Sequence, residues 1–144
     1  MLNDNQIQDT LNTFGLGYSI ESFQMLSSVF APEFQGELTQ ETDYSAKTRA
    51  DIEQYFQDIA ETRDWQTAEF LFFTAEENTD GSTNVRTTAI IDFADQDGVE
   101  QPTKFLAFDL DVNDEGQIIR LKSDATNIDP RLEWGAPADN CTFD

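Results

Sequence analysis

The segment Leu106-Ala-Phe-Asp-Leu-Asp-Val112, with Asn113-Asp-Glu-Gly116 and Gln117-Ile-Ile-Arg-Leu121 after it, decides the fold. Apolar and polar residues alternate on both sides of a turn-forming cluster, which predicts a β-hairpin. Folding about residues 113–116 gives the pairs Val112 with Gln117, Leu110 with Ile119 and Phe108 with Leu121, and sets Asp109 opposite Arg120 and Asp111 opposite Ile118. One face is then apolar, and a slip of one residue would bury the charges. The simplest interpretation of Asp109 and Arg120 is an ion pair on the surface of the sheet.

The same two-residue period extends upstream to Trp65. Strands are predicted near 67–76, 85–94, 103–112 and 117–124. The connectors 78–81, 95–98 and 113–116 are rich in Asn, Asp and Gly, as expected of turns. The second half of the chain is therefore predicted to form an antiparallel meander.

The first half has helical periodicity. Helices are predicted over about 3–16, ended by Gly15 and Gly17, over 20–31, ended by Pro32, and over 48–62, begun by the capping box Thr48-x-x-Asp51. A short strand is predicted over 34–38. Three N-terminal helices packed on an antiparallel sheet make an α+β fold.

The first hairpin has apolar residues on both faces. Its predicted pairs are Phe70 with Ile91 and Phe72 with Ala89 on one face, and Leu71 with Ile90 and Phe73 with Thr88 on the other. Because the helices cover only one face, we expect a homodimer through the other. The same register sets Glu69 opposite Asp92, which is either an acid–base pair or two solvated carboxylates.

The charge excludes several partners. With 29 acidic residues against 8 basic ones, the formal net charge is −21. Nucleic acid and anionic membrane surfaces require clustered cations, so neither is expected as a partner. No signal peptide or membrane-spanning run is evident, which predicts a cytoplasmic protein.

The chain has no histidine and one cysteine. This excludes a Ser-His-Asp triad and histidine-based metal sites, and we expect neither cofactor nor metal. The stretch Asp95-Gln96-Asp97-Gly98 begins like a calcium loop but lacks the remaining ligands, so it is interpreted as a turn. Any acid–base chemistry would fall to carboxylates or tyrosines.

Three segments resemble the nuclear transport factor 2-like superfamily, in its SnoaL-like and ketosteroid-isomerase-like branches. The stretch Met25-Leu-Ser-Ser-Val-Phe-Ala-Pro-Glu-Phe34 is similar to its L-x-x-L-F-A-D-D-F segment, and Thr48-Arg-Ala-Asp-Ile-Glu-Gln-Tyr-Phe56 to its third helix. Phe108 to Leu121 resembles its terminal hairpin. The resemblance spans about residues 5–125. It implies a single cystatin-like cone domain with a curved sheet over 1–127 and an irregular tail over 128–144.

The resemblance also implies an apolar pocket inside the cone, but the catalytic residues of the family transfer poorly. Leu38 stands where isomerase-like members carry an aspartate base, with Glu37 beside it. Phe14 or Thr13 stands in place of a tyrosine. Phe108 stands in place of an acid, and Asp109 points to the opposite face.

Three functions stay open. The first is a SnoaL-like protein that binds a small hydrophobic molecule, and the alternative for its aromatic set is ordinary core packing. The expected ligand-binding residues are Phe14, Tyr18, Leu38, Tyr55, Phe56, Trp65, Asp92 and Phe108, with Phe34 also near the pocket. The second is a cofactor-independent isomerase, cyclase, dehydratase or hydrolase that uses Glu37, Glu69, Asp92 or Tyr18. The third is a non-catalytic interaction protein that assembles through its sheet.

Overall fold

The computed structural model of the chain describes residues 1–19, 26–38 and 48–131. They form an α+β fold, which confirms the predicted class. The elements in chain order are α1 (Asp4–Tyr18), α2 (Leu26–Val29), β1 (Phe30–Leu38), α3 (Arg49–Thr62), β2 (Arg63–Glu77), β3 (Thr83–Asp95), β4 (Lys104–Val112) and β5 (Ile118–Thr126).

The five strands make one sheet in the order β1-β5-β4-β3-β2. The pairs β2–β3, β3–β4 and β4–β5 are antiparallel, as expected for a meander. β1 instead runs parallel to β5, so the prediction of a wholly antiparallel sheet was wrong at this edge. Parallel neighbours need a long crossover, and here most of the chain lies between them.

Both long helices begin at capping boxes. At α3, Thr48 accepts from the backbone N–H of Asp51 while the Asp51 carboxylate accepts from the N–H of Thr48, which confirms the predicted start. At α1 the same exchange joins Asn3 and Gln6. Each box satisfies backbone donors that the first helical turn leaves without partners.

Two helix ends differ from prediction. α1 continues through Gly15 and Gly17 to Tyr18, because Gly15 allows the helix to approach β2 closely. A Cβ added at Gly15 would lie 3.2 Å from the carbonyl oxygen of Ala68. The helix predicted over 20–31 is described from residue 26 onward as the single turn α2. Phe30 already belongs to β1, so only two long helices are confirmed where three were expected.

The three predicted turns share one backbone design. Gly81, Gly98 and Gly116 each have a positive φ, and each donates its N–H to the carbonyl three residues earlier. Asn113 and Asp95 add side-chain oxygens that accept from N–H groups two and four residues later. These are three-residue hairpin loops with glycine in the left-handed conformation.

That loop geometry shifts both predicted registers. In the last hairpin Val112 pairs with Ile118, and after a bulge Leu110 pairs with Leu121 and Asp111 with Arg120. The loop is one residue shorter than expected, because Asn113 and Gln117 close it. A bulge in β5 then shifts the strand register by a second residue. Ile118 is therefore buried, whereas Ile119 is only half-buried.

In the first hairpin Phe70 pairs with Ala89 and Glu69 with Ile90, and a bulge lies between Phe70 and Phe73. Asp92 faces Thr67, so the predicted opposition of Glu69 and Asp92 was wrong. Phe73 pairs with Thr87, not Thr88.

The two faces of the sheet differ in character. The inner face, toward the helices, is mainly apolar and includes Ala89, Ile91, Leu106, Leu110 and Leu121, all buried. The outer face is mixed: β3 and β4 place Arg86 opposite Asp109, Thr88 opposite Ala107 and Ile90 opposite Phe105 there.

The segment after β5 lies against the outer face. Pro130 is buried, and the guanidinium of Arg131 is 5.9 Å from the centroid of the Phe105 ring. Ile90, which pairs with Phe105, is only 3% exposed. The apolar centre of the outer face, predicted to need a second subunit, thus receives part of its cover from the chain itself.

Candidate functional site

The inner face carries a cluster of phenylalanine rings centred on Phe14 of α1. Phe14 stacks on Phe70 at 5.4 Å and meets Phe30 and Phe108 edge-on at 5.6 and 5.5 Å between centroids. Phe14 is fully buried and Phe108 is 3% exposed. Edge-on and offset contacts of this kind stabilise a packed core. This cluster therefore fills the space between α1 and the middle of the sheet.

The structure brings together four of the predicted ligand-binding residues as two pairs. Phe14 contacts Phe108, and Tyr55 contacts Phe56 at 5.1 Å on α3. All four are buried. The backbones of Tyr18 and Leu38 end α1 and β1, but their side chains lie outside the described residues.

Trp65 and Asp92 lie on the other face. Gln66 pairs with Phe93, whose side chain is on the inner face, so the preceding positions Trp65 and Asp92 point outward. Their predicted place beside Phe108 is therefore wrong. The physical reason is the alternation of each strand: Phe70 and Ile91 lie on the inner face, so Trp65 and Asp92, an odd number of residues away from them, lie on the outer face.

Polar groups that sequence reasoning missed lie on the inner face. Gln66 and Ser123 are each only 2% exposed. Gln66 pairs with Phe93 and Ser123 with Phe108, so both side chains share a face with those rings. Buried polar groups on an apolar wall are what orient a ligand in most small-molecule sites. Alternation from Phe70 along β2 places Gln66 on the inner face, and this is the signal in the sequence that points to it.

Two cations flank Phe93 at this end of the sheet, where β3 leads into β4. The guanidinium carbon of Arg63 is 3.8 Å from the ring centroid, and the ammonium of Lys104 is 5.3 Å from it. Arg63 also donates from Nη1 to Oε1 of Gln66. Cation–π contact and this hydrogen bond fix the guanidinium in place.

A groove of about 310 Å³ lies beside Lys104, between the start of β4 and the end of β5. It is lined by residues of both strand ends, among them Lys104, Leu106 and Ala125. Ala125 pairs with Leu106, and it is exposed. The groove thus lies at one end of the sheet, whereas the phenylalanine cluster fills the middle of the inner face.

The carboxylates proposed for catalysis lie elsewhere. Glu69 is exposed on the outer face, and Asp92 accepts a hydrogen bond from Thr103 there. Hydrogen bonds to Asp129 raise the pKa of Arg131, and the negative charges of Asp92 and Glu69 add to this effect. The two acids thus contribute to holding Arg131 over the outer face. The side chain of Glu37 lies outside the described residues.

A second polar network crosses the outer face near the turns. Arg120 donates to Asp111 at 2.6 Å and to Asp109 at 2.8 Å, and the buried Asn84 donates to both carboxylates. The predicted ion pair of Asp109 and Arg120 is therefore present, although Asp111 is the residue directly opposite Arg120. With its donors and acceptors matched in this way, the network joins three strands.

The described residues give no sign of a metal centre or a membrane span. Across 1–19, 26–38 and 48–131, no three His, Cys, Asp or Glu side chains are grouped to hold a metal ion. Of the helices formed by these residues, none has the length and apolar character to cross a bilayer.

Neither a family model nor a curated protein sequence matches this chain. An NTF2-like protein of unknown function from Exiguobacterium sp. 255-15 has a similar structure, with a TM-score of 0.66 at 15% identity over 83% of this chain and 99% of that chain. A protein with a cystatin-like fold from Caulobacter vibrioides gives 0.69 at 16% identity over 93% and 95%.

A protein designated a SnoaL-like polyketide cyclase, from Jannaschia sp. CCS1, gives a TM-score of 0.62 at 14% identity over 84% of this chain and 85% of that chain. At such low identities, these structural similarities are evidence for the fold alone. The chain therefore has the cystatin-like α+β fold of the nuclear transport factor 2-like superfamily.

Proposed function

We propose that this protein binds a small, largely apolar molecule between its helices and the inner face of the sheet, at the end where β3 leads into β4. The observation that carries the proposal is the buried Gln66, which lies on a mainly apolar wall and is 2% exposed. Ser123 adds a second buried polar group, and the groove beside Ala125 supplies a route of entry. Apolar walls with few polar groups are typical of ligand sites.

The test is fluorescence titration with N-phenyl-1-naphthylamine, an uncharged dye that emits strongly in apolar sites. We expect saturable binding that the variant Ala125→Phe weakens, because the new ring occupies the groove beside Leu106. The matched control is Gln57→Phe, which adds the same ring to an exposed position of α3. Equal binding by both variants and the parent would contradict the proposal.

A cofactor-independent isomerase, cyclase, dehydratase or hydrolase is the second candidate, supported by the structural likeness to the Jannaschia cyclase. Because Glu69 and Asp92 lie on the outer face, acid–base work would fall to Tyr18 or Glu37. A compound that co-purifies with the protein would be identified by native mass spectrometry and tested for turnover. Tyr18→Phe or Glu37→Gln should then lower turnover about a hundredfold, and Glu69→Gln should leave it unchanged.

Association of two copies through the outer face is the assembly that we propose. A groove of about 590 Å³ crosses this face, with Pro130 at its lining. Arg86 and Lys122 lie in it beside Asp109 and Asp124, so a two-fold axis can bring opposite charges together. Light scattering at micromolar concentration tests this: a monomer at all concentrations would overturn it.

A further inference from the structure

We propose that the exposed turn between β3 and β4 holds a modification site, the pair Asp97–Gly98, at which aspartate converts spontaneously to isoaspartate. The sequence has two Asp–Gly pairs, and the other, Asp80–Gly81, lies in the turn between β2 and β3. The two turns share one backbone design but fix their aspartates differently. Isomerisation is expected at Asp97, whereas Asp80 is protected. This proposal does not depend on the ligand site on the inner face.

The reaction rearranges the main chain and needs no reagent besides water. The backbone nitrogen of the glycine attacks the side-chain carbon Cγ of the preceding aspartate and forms an N–C bond. The nitrogen loses its proton, the Cγ–OH bond breaks and water departs, which leaves a succinimide ring. Water then opens the ring: cleavage at Cγ restores aspartate, and cleavage at the main-chain carbonyl carbon gives isoaspartate. Glycine favours the first step because it has no side chain to obstruct the attack.

The two turns place the glycine nitrogen in the same way. The N–H of Gly81 donates to the carbonyl of Asn78 at 3.1 Å, and the N–H of Gly98 donates to that of Asp95 at 3.0 Å. Both glycines have a positive φ, of 89° and 80°. The backbone therefore constrains the attacking nitrogen alike in the two turns, and the difference between them lies in the aspartate side chain.

Asp80 is fixed by the residue that follows its glycine. Its Oδ1 accepts from the Ser82 hydroxyl at 2.6 Å and from the backbone N–H of Ser82 at 2.9 Å. The carboxylate must leave both donors before Cγ can bond to the nitrogen of Gly81. These hydrogen bonds also hold the pKa of Asp80 below its usual value. The carboxylate therefore stays ionised, and in that form it has no hydroxyl to release as water.

Asp97 is not fixed in this way. The equivalent backbone donor, the N–H of Val99, goes to Oδ1 of Asp95 at 3.0 Å, and the N–H of Asp97 itself goes to the same oxygen at 2.9 Å. Valine in place of serine also removes the hydroxyl donor. Within the part of the chain that the structure describes, no group donates a hydrogen bond to the Asp97 carboxylate. This exposed side chain is free to turn toward the nitrogen of Gly98.

The turn between β4 and β5 has the same backbone but a different acid. The N–H of Gly116 donates to the carbonyl of Asn113 at 3.0 Å, and the residue before the glycine is Glu115. The longer side chain of glutamate would close a larger ring, which forms more slowly. No asparagine precedes a glycine in the sequence, so the related reaction of Asn–Gly pairs does not arise. Asp97–Gly98 therefore combines the reactive pair of residues with a side chain that no hydrogen bond fixes.

Isoaspartate at this position would disturb the turn, because the main chain then runs through Cβ and Cγ and is one carbon longer. Asp95 accepts from the N–H groups of Gly98 and Val99, which lie beyond the inserted carbon. The side chain of Gln96 donates to the carbonyl of Glu61 at 3.0 Å and joins the turn to the end of α3. The modification would therefore loosen the connection from β3 to β4 and its contact with α3.

The experiment follows the two Asp–Gly pairs in the same sample. The full chain is incubated at about 37 °C and about pH 5, where a fraction of exposed carboxyl groups is protonated. Peptides are separated by liquid chromatography and fragmented by electron-transfer dissociation, which distinguishes isoaspartate from aspartate. Because both pairs belong to one chain, each serves as the control for the other.

Three variants test the physical cause. Ser82→Ala removes the hydroxyl donor from Asp80. Asp95→Asn/Val99→Ser gives the second turn the asparagine and serine of the first. Asp97→Glu keeps the charge but lengthens the side chain. Thermal unfolding checks that each variant is folded, and the comparison of the two pairs in the parent requires no variant.

We expect isoaspartate to accumulate at Asp97 at least tenfold faster than at Asp80, since hydrogen bonds to a charged group must break at Asp80 before the ring can close. Ser82→Ala should speed the reaction at Asp80, and Asp95→Asn/Val99→Ser should slow it at Asp97. Asp97→Glu should remove it from the second turn. Equal rates at the two pairs of the parent, faster reaction at Asp80, or no isoaspartate at either pair would overturn the proposal.

Discussion

Arg120 and Asp111 face each other across β4 and β5, and Nε of Arg120 donates to the Asp111 carboxylate at 2.6 Å. Burial tends to raise the pKa of Asp111, but hydrogen bonds from Arg120, Asn84 and Asn78 outweigh it and hold the pKa below its usual value. A carboxylate with a lowered pKa in the folded state stabilises that state above the pKa of the unfolded chain, about 4.

We expect Asp111→Ala to lower the free energy of unfolding by about 2 kcal/mol at pH 7, because Arg120 and the buried Asn84 lose a charged acceptor. The contribution should fall away as the pH decreases below about 4 and passes through the lowered pKa of Asp111. Urea unfolding at pH 7 and pH 3 measures both values. Asp114→Ala, in the exposed turn, is the control, and an equal loss in both variants would contradict the role of the network.

The close contact of α1 with β2 gives a second prediction. Gly15→Ala should destabilise the protein by about 1 kcal/mol, although alanine is the better helix former by about that amount. The reason is that the new Cβ would lie 3.2 Å from the backbone oxygen of Ala68, which cannot move without disturbing the sheet. The control for helix propensity is Asn12→Ala, at an exposed position of α1 where the change also removes a surface hydrogen bond from Gln8. A gain in thermal stability for Gly15→Ala would show that the helix can shift outward.

Pro130 is expected to contribute to stability from its place against the outer face. Pro130→Asp should cost about 1–2 kcal/mol in urea unfolding, because a buried apolar ring is replaced by a charged side chain. Asn127→Asp adds the same charge at an exposed position nearby. If the two variants unfold at the same urea concentration, residues 129–131 do not cover Ile90 and Phe105 in solution.

The net charge of −21 predicts a response to salt. Raising sodium chloride from about 0.05 to 0.5 M shortens the screening length and weakens repulsion among the acidic side chains. The midpoint of thermal unfolding should therefore rise. Lys122→Glu increases the negative charge on the exposed face of β5 and should steepen this rise. A midpoint that falls with salt in the parent would show that specific ion pairs outweigh the general repulsion.

The sequence predicts the helices, strands and turns of this fold better than it predicts the register and pairing of the strands. The capping box at Thr48 and the turns around Gly81, Gly98 and Gly116 are local features, and the structure confirms them. The strand registers of the two hairpins depend on bulges between Phe70 and Phe73 and beside Val112. The alternation of apolar and polar residues does not indicate these bulges. The parallel pairing of β1 with β5 depends on contacts between segments that are distant in the sequence, so no local sequence pattern predicts it.

The residues of the candidate site were likewise predicted in part. Phe14, Tyr55, Phe56 and Phe108 were expected inside from their periodicity and are buried there. Trp65 and Asp92 were expected in the pocket, although alternation from Phe70 and Ile91 along their own strands places both on the outer face. Gln66 and Lys104 were missed because a polar residue in a strand is ordinarily assigned to solvent, and only the neighbouring Phe93 and Ile91 show that they point inward.

The position of β5 also determines when the chain can finish folding. Among the strands that the structure describes, β5 is the last to be synthesised, yet it lies between β1 and β4. β1, made almost ninety residues earlier on the chain, has no strand to pair with until residues 118–126 have left the ribosome. Pairings between such distant segments form slowly because a long loop must close first. On the ribosome, the β2–β3–β4 meander can assemble as it emerges, and the joining of the N-terminal edge follows once β5 is available.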